Sequence, residues 1–114
     1  MVVDGALAAC GKVDQQQLAA AERVSTLTYG IAANDNQIVL MNGPMYHSAP
    51  NSYGMLAFRH GCTIVLEPRF DPEDLLQLIE RHKVTHVHVV PTMFVRLLRL
   101  PDDVKSRYDL SSLR

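Results

Sequence analysis

Gly43-Pro44-Met45-Tyr46-His47-Ser48 follows the apolar run Ile38-Val39-Leu40-Met41 and precedes Tyr53-Gly54-Met55-Leu56-Ala57-Phe58, a segment of helical character. The order reads as strand, sharp loop, helix. Gly43 and Pro44 punctuate the end of the strand. Tyr46, His47 and Ser48 are then presented at its carboxyl end, the edge at which open α/β sheets bind ligands. An imidazole there can donate a hydrogen bond or exchange a proton near neutral pH. The plain alternative for His47 is a loop histidine bonded to backbone. The strand before it, the Gly-Pro break and the pattern after it favour the functional role.

Upstream, Asn34-Asp35-Asn36 is a turn signal, and Gln37 to Asn42 spans a short strand with a continuous apolar centre, the kind buried in parallel sheets. Gln15 to Ile31 reads as a helix with Asp14 as its N-cap, its apolar stripe formed by Ala20, Val24, Leu27 and Thr28. Residues 1 to 14 carry little pattern. Downstream, the helix after His47 is expected from about Pro50 or Asn51 to His60, with Gly61 as its terminator. Cys62-Thr63-Ile64-Val65-Leu66 is a second apolar, β-branched strand. Asp71-Pro72-Glu73-Asp74 is the clearest helix start: an N-cap, a proline at the first helical position and two acids in the positive first turn. Leu75, Leu78, Ile79 and His82 share one face, and Leu76 widens it. Val84 to Val90 is the third strand, stopped by Pro91. Thr92 opens a further helix with Phe94, Leu97 and Leu98 on one face and Arg96 and Arg99 outward. Asp102 to Leu113 holds a short polar helix or turn, with a last helical turn over Asp109-Leu110-Ser111-Ser112-Leu113.

This alternation predicts an α/β fold, with three or more mainly parallel strands alternating with helices through right-handed crossovers. Three short strands cannot close a barrel, and a sheet this small leaves open edges. The expectation is a piece of a larger α/β domain, with residues 1–36 a helical lead-in and residues 37–114 a partial α/β subdomain.

Composition narrows the partners. The 114 residues are 47% hydrophobic and 20% charged, with formal net charge −1. No basic patch suits nucleic acid, and no apolar run approaches membrane-spanning length. Asp4 stands where a signal peptide would carry positive charge, so the cytoplasm is the expected location. Cys10 and Cys62 fit no metal spacing and are expected as reduced thiols, Cys62 buried. Met41, Met45, Met55 and Met93 are read mostly as core filling, and Asp71 and Glu73 as capping residues. His86 and His88 alternate with Val87 and Val89. A His-x-His pair on a strand can hold a metal, but a third ligand at useful spacing is missing and no metal is expected.

Six stretches in order then resemble one family: Pro44-Met45-Tyr46-His47-Ser48, Gly61 to Leu66, Phe70-Asp71-Pro72-Glu73, Ile79 to Thr85, Val90-Pro91-Thr92-Met93, and Asp109 to Arg114. Together they resemble the middle of the adenylate-forming enzymes, which include acyl-CoA synthetases, coumarate ligases, luciferases and peptide-synthetase adenylation domains. The resemblance covers Ile38 to Arg114 and is loose before residue 38. It implies an AMP-forming acid–CoA ligase: a carboxylate attacks the α-phosphate of ATP, and coenzyme A then displaces AMP. It implies His47 as the catalytic histidine beside the acyl carboxylate and α-phosphate, and Tyr46, Ala49, Tyr53, His86, His88 and Val90 as substrate-binding residues of the acyl pocket. ATP, Mg2+ and coenzyme A are implied for the parent enzyme, with a fatty, aromatic or sterol-like carboxylic acid as substrate. The histidines and Tyr53 favour an aromatic or functionalised acid over a saturated chain.

The phosphate-gripping Ser/Thr/Gly-rich loop, the Gly-Gly-Ala-Pro-like adenine segment, the Tyr-Gly-x-Thr-Glu stretch, the ribose-binding aspartate and the carboxyl-terminal lysine of the family have no counterpart in these residues. The chain is therefore expected to be an internal fragment that binds no nucleotide and is inactive alone. Two alternatives stand beside the ligase: a non-catalytic α/β module that self-associates through exposed sheet edges, and the adenylation domain of a peptide synthetase.

Overall fold

The computed structural model describes residues 15–32 and 36–114, which fall in two units, residues 1–32 and 33–114. In the first unit, α1 (Gln15–Tyr29) stops two residues short of the expected end. Gly30 adopts φ 67°, and the Thr26 hydroxyl donates to the Ile31 carbonyl at 3.1 Å, so the last turn closes on a side chain. Val24 and Leu27 of its apolar stripe are exposed. Asp14, Cys10 and the Asn34-Asp35 part of the turn signal lie outside the described residues.

The second unit runs β1 (Ile38–Met41), α2 (Ser48–Arg59), β2 (Thr63–Leu66), α3 (Pro72–His82), β3 (His86–Val87), α4 (Pro91–Leu98) and α5 (Asp102–Lys105). The three strands form one parallel sheet in the order β2-β1-β3. Leu40 is level with Val65 on one side and Val87 on the other. Side chains alternate across a sheet, so these three share a face. There they meet Leu75 and Ile79 of α3, with Val84 completing the buried cluster. The opposite face carries Val39 and Met41 beneath α2, whose Tyr53, Gly54 and Ala57 are buried. Two crossovers explain the layering. The first moves from β1 to β2; the second returns past β1 to β3. Right-handed connections in opposite directions put α2 and α3 on opposite faces.

Local chemistry fixes the helix ends. Asp71 accepts from the backbone amides of Glu73 and Asp74 at 2.9 and 3.2 Å, and Pro72 opens α3. At the end of α2, Gly61 takes φ 71°, Cys62 N–H donates to Ala57 O at 3.0 Å and Gly61 N–H to Phe58 O at 3.1 Å. That is the paired bond pattern of a left-handed glycine terminator. α2 starts at Ser48 rather than at Pro50 or Asn51, because a proline in the first turn gives up an amide that has no helical partner.

Five other expectations need correction. The third strand is two residues long, not seven. The Thr85 hydroxyl takes the Ile38 amide at 2.9 Å, where a ladder bond would start the strand, and Val39 and Leu40 alone pair with it. Pro91, not Thr92, is the first residue of α4, for the reason that admits Pro50. His82 is exposed, leaving Leu75, Leu76 and Ile79 as the buried stripe of α3. Of the methionines, Met41 is buried while Met45 and Met55 are exposed: Met45 lies in the loop before α2, and α2 turns Gly54 and Ala57, not Met55, to the sheet. Cys62 is half-buried, a free thiol whose Sγ lies 3.8 Å from Gln37 Oε1. Burial pushes its pKa up.

Candidate functional site

The chain leaves β1 toward the α2 face. It leaves β3 toward the opposite face, where α4 packs against α3. Adjacent strands whose following loops part to opposite faces leave a crevice at their carboxyl ends. A cavity of about 450 Å³ occupies that place. The β1–α2 loop supplies Asn42 and His47 and the first turn of α2 supplies Ala49; the β3–α4 loop supplies His88 and Val90 and the first turn of α4 supplies Met93.

His47 is the N-cap residue of α2, with φ −86° and ψ 141°. Its N–H donates to Pro44 O at 3.0 Å, and its carbonyl accepts from the Asn51 amide at 3.1 Å. Asn51 Nδ2 donates to Met45 O at 3.0 Å. Three bonds thus fix the loop, while the imidazole makes no capping bond to the helix. The first turn of α2 contains no acid, so its positive end is uncompensated by side chains of that turn. Tyr46 packs its ring 4.7 Å from that of His47. It is 85% exposed and does not line the crevice.

The floor is polar. Tyr53 and His88 approach with ring centroids 5.4 Å apart at 40°. They share a small adjoining hollow with Asn42 and Gly43. Burial, then the neighbouring Cys62, pushes the Tyr53 pKa up to about 12, so its phenol stays protonated and remains both donor and acceptor. Asn42 is 6% exposed, and its Nδ2 has no hydrogen-bond partner among the described residues.

The expected residues therefore separate. His47, Ala49, His88 and Val90 come together around the crevice, and Tyr53 lies beneath it. Tyr46 points away. His86 shares the face of His88, but its Nδ1 lies 2.9 Å from the Thr85 hydroxyl, and it does not line the cavity. Among the described residues, no three metal-ligating side chains gather in one place. Asn42 was not singled out by sequence reasoning, and Met93 was read there as core filling. For Asn42 there is one signal, a polar residue closing a continuous apolar run.

Comparison with known proteins gives the same direction from sequence and from shape. A 4-coumarate–CoA ligase-like protein of Arabidopsis thaliana is 34% identical over 84 residues, which are 69% of this chain and 14% of that protein. This chain thus spans about a seventh of that relative's length. The amide bond synthetase McbA from Marinactinospora thermotolerans superposes with a TM-score of 0.69 at 28% identity, over 84% of this chain and 18% of that one. The o-succinylbenzoate coenzyme A synthetase of Bacillus subtilis, solved with ATP and a magnesium ion, gives a TM-score of 0.62 at 31% identity, over 82% and 18%. The family model described as AMP-binding enzyme matches residues 13–114, and the chain belongs to that family.

Proposed function

We propose that the full-length protein is an ATP-dependent acid–CoA ligase, and that these residues build the acyl end of its site. One observation carries the reading: His47, His88 and Val90, from two separate loops, meet at the crevice where the parallel sheet changes direction. In this reading the acid lies in the crevice, with its carboxylate toward His47 and the first-turn amides of α2. A donor carried on a loop whose backbone is fixed by hydrogen bonds, beside a helix N-terminus, suits an anionic oxygen. Such donors act where charge gathers in the reaction, against both the acid and the α-phosphate of ATP. Magnesium would be bound by groups elsewhere in the full-length protein, since the described residues bring no carboxylate cluster together. Coenzyme A would then take the acyl group from AMP. Tyr53, His88 and the small Ala49 support an aromatic or functionalised acid.

The test is pyrophosphate release by the full-length protein with ATP, Mg2+ and a panel of fatty and aromatic carboxylic acids, followed by thioester formation on adding coenzyme A. His47→Ala should lower the rate about 100-fold, the usual loss on removing one charge-stabilising donor. An unchanged rate in that variant removes His47 from the chemistry; no release with any acid removes the ligase reading. The 114-residue chain alone should show no magnesium-dependent ATP binding by titration calorimetry.

The isolated chain also has features that favour self-association. The outer edges of β2 and β3 have no strand partner among the described residues. Leu66 on β2 and Leu98 on α4 are 67% and 70% exposed, and unpaired edges template pairing. Light scattering after size exclusion distinguishes a monomer from a pair.

A further inference from the structure

The part of the site left unused by that reading is Asn42. It stands at the carboxyl end of the central strand, one residue before Gly43. It lines both the crevice and the hollow beneath it. The side chain is more than nine-tenths buried, yet its Nδ2 donates to nothing among the described residues. A buried amide donor left unmatched gives up its bonds to water and gains nothing in return, so native proteins pair nearly all such groups. Its surroundings restrict movement. A Cβ on Gly43 would lie 2.7 Å from Pro50 Cγ, so the backbone beside Asn42 is closed in by the Pro50 ring.

We infer that Asn42 is a specificity residue: its Nδ2 donates to an acceptor oxygen carried by the acyl body of the substrate, distinct from the reacting carboxylate. The inference rests on the ligase reading and names the substrate class more narrowly. It predicts an acid bearing a hydroxyl, carbonyl or second carboxylate oxygen at the depth of β1's end. The physical asymmetry is large. A site built to bond a substrate oxygen is left with an orphaned donor when the oxygen is missing, whereas an apolar pocket barely rejects an added one. The hollow itself has no room for a water-sized group, so the substrate oxygen meets Asn42 from the crevice, which that residue also lines.

The experiment compares kcat/KM of the full-length protein for matched acids: 4-hydroxycinnamate against cinnamate, and 10-hydroxydecanoate against decanoate. It does so for the native chain, Asn42→Leu and Asn42→Asp. The native protein should prefer one oxygenated acid over its partner by at least about tenfold. Asn42→Leu should cut that ratio by about tenfold or more, mainly through KM for the oxygenated acid. Asn42→Asp, which offers an acceptor in the same shape, should cut it less for a hydroxyl that can turn to donate. A merely structural asparagine would lower the melting temperature and slow both acids alike, leaving the ratio unmoved, and that result overturns the inference. If Asn42→Leu does not fold, the ratio in Asn42→Asp and Asn42→Ser decides. Turnover of the acids with an unmoved ratio overturns the specificity role alone; absence of any pyrophosphate release overturns the ligase reading and this inference together.

Discussion

Pro50 closes over Gly43: a Cβ added to Gly43 would lie 2.7 Å from Pro50 Cγ and 3.1 Å from its Cβ. One residue ends β1's loop-side approach and the other sits in the first turn of α2, so their contact sets how closely the helix start can approach the strand. His47 lies between them. Gly43→Ala must push a rigid ring aside, which in a packed site costs about 1–3 kcal/mol. Because a displacement near 1 Å can cost about 100-fold in rate, pyrophosphate release by the full-length variant should fall more than its melting temperature suggests. A native rate at saturating acid would mean that the ring yields freely and that His47 does not depend on it.

Asp71 accepts two amide bonds at the start of α3, and α3 carries Leu75 and Ile79 into the core. Asp71→Ala should cost about 1 kcal/mol, and Asp71→Asn a few tenths, because asparagine keeps the accepting oxygen. Denaturant midpoints of the two variants check this. Equal losses would show that charge at the helix N-terminus, rather than the bond, is what counts.

These features differ in how much of them the sequence exposed. Asp71-Pro72-Glu73 is a local device, and its reading needs only neighbouring residues. The parallel sheet was legible because Ile38 to Met41 and Thr63 to Leu66 are apolar runs bounded by turn residues. The length of β3 was not, because the Thr85 hydroxyl that intercepts the Ile38 amide belongs to a residue 47 positions away. Which site residues met was half legible. Alternation put His86 and His88 on one face, but alternation says nothing of depth along the strand, and only His88 reaches the crevice. Asn42 was hidden for the same reason: its burial depends on α2 folding back over it.

Lys83 holds a left-handed conformation after α3, φ 52° and ψ 47°, where glycine is the usual occupant. Lys83 N–H donates to Glu80 O and Val84 N–H to Ile79 O, so the terminator forms in spite of the side chain. Its ammonium pairs with Asp109 at 2.9 Å, both groups half-exposed or more, so solvent screens the contact and it adds little. Lys83→Gly and Lys83→Ala both lose that pair, and only glycine relieves the backbone. Glycine should therefore be the more stable of the two by about 1 kcal/mol, the reverse of their order inside a helix. Thermal unfolding of both variants reads the difference directly, and alanine at or above glycine refutes it.

Glu67 follows β2 with a carboxyl buried on the inside of the turn into α3. Its Oε1 accepts the Asp71 amide at 2.9 Å, while Oε2 has no partner among the described residues. Burial pushes its pKa up; the Asp71 amide pulls it down, and the charges of Asp74 and Asp71 add to the rise. A carboxyl with a folded pKa above its unfolded value keeps its proton longer when folded. Stability therefore falls as pH rises from the unfolded value, about 4.3, through the raised folded value, and stays lower above it. Glu67→Gln keeps the accepting oxygen and stands in for the protonated acid at every pH. The variant should unfold with the native protein at pH 4 and at a higher temperature at pH 7. Asp109 acts in the opposite sense: its hydrogen bonds with Ser111 and Lys83 hold its pKa well below the usual carboxylate range. That stability is lost in acid from both proteins alike and cancels in the difference. Melting curves that stay parallel from pH 4 to pH 7 would mean that Glu67 is solvated in the full-length protein and carries its charge without cost.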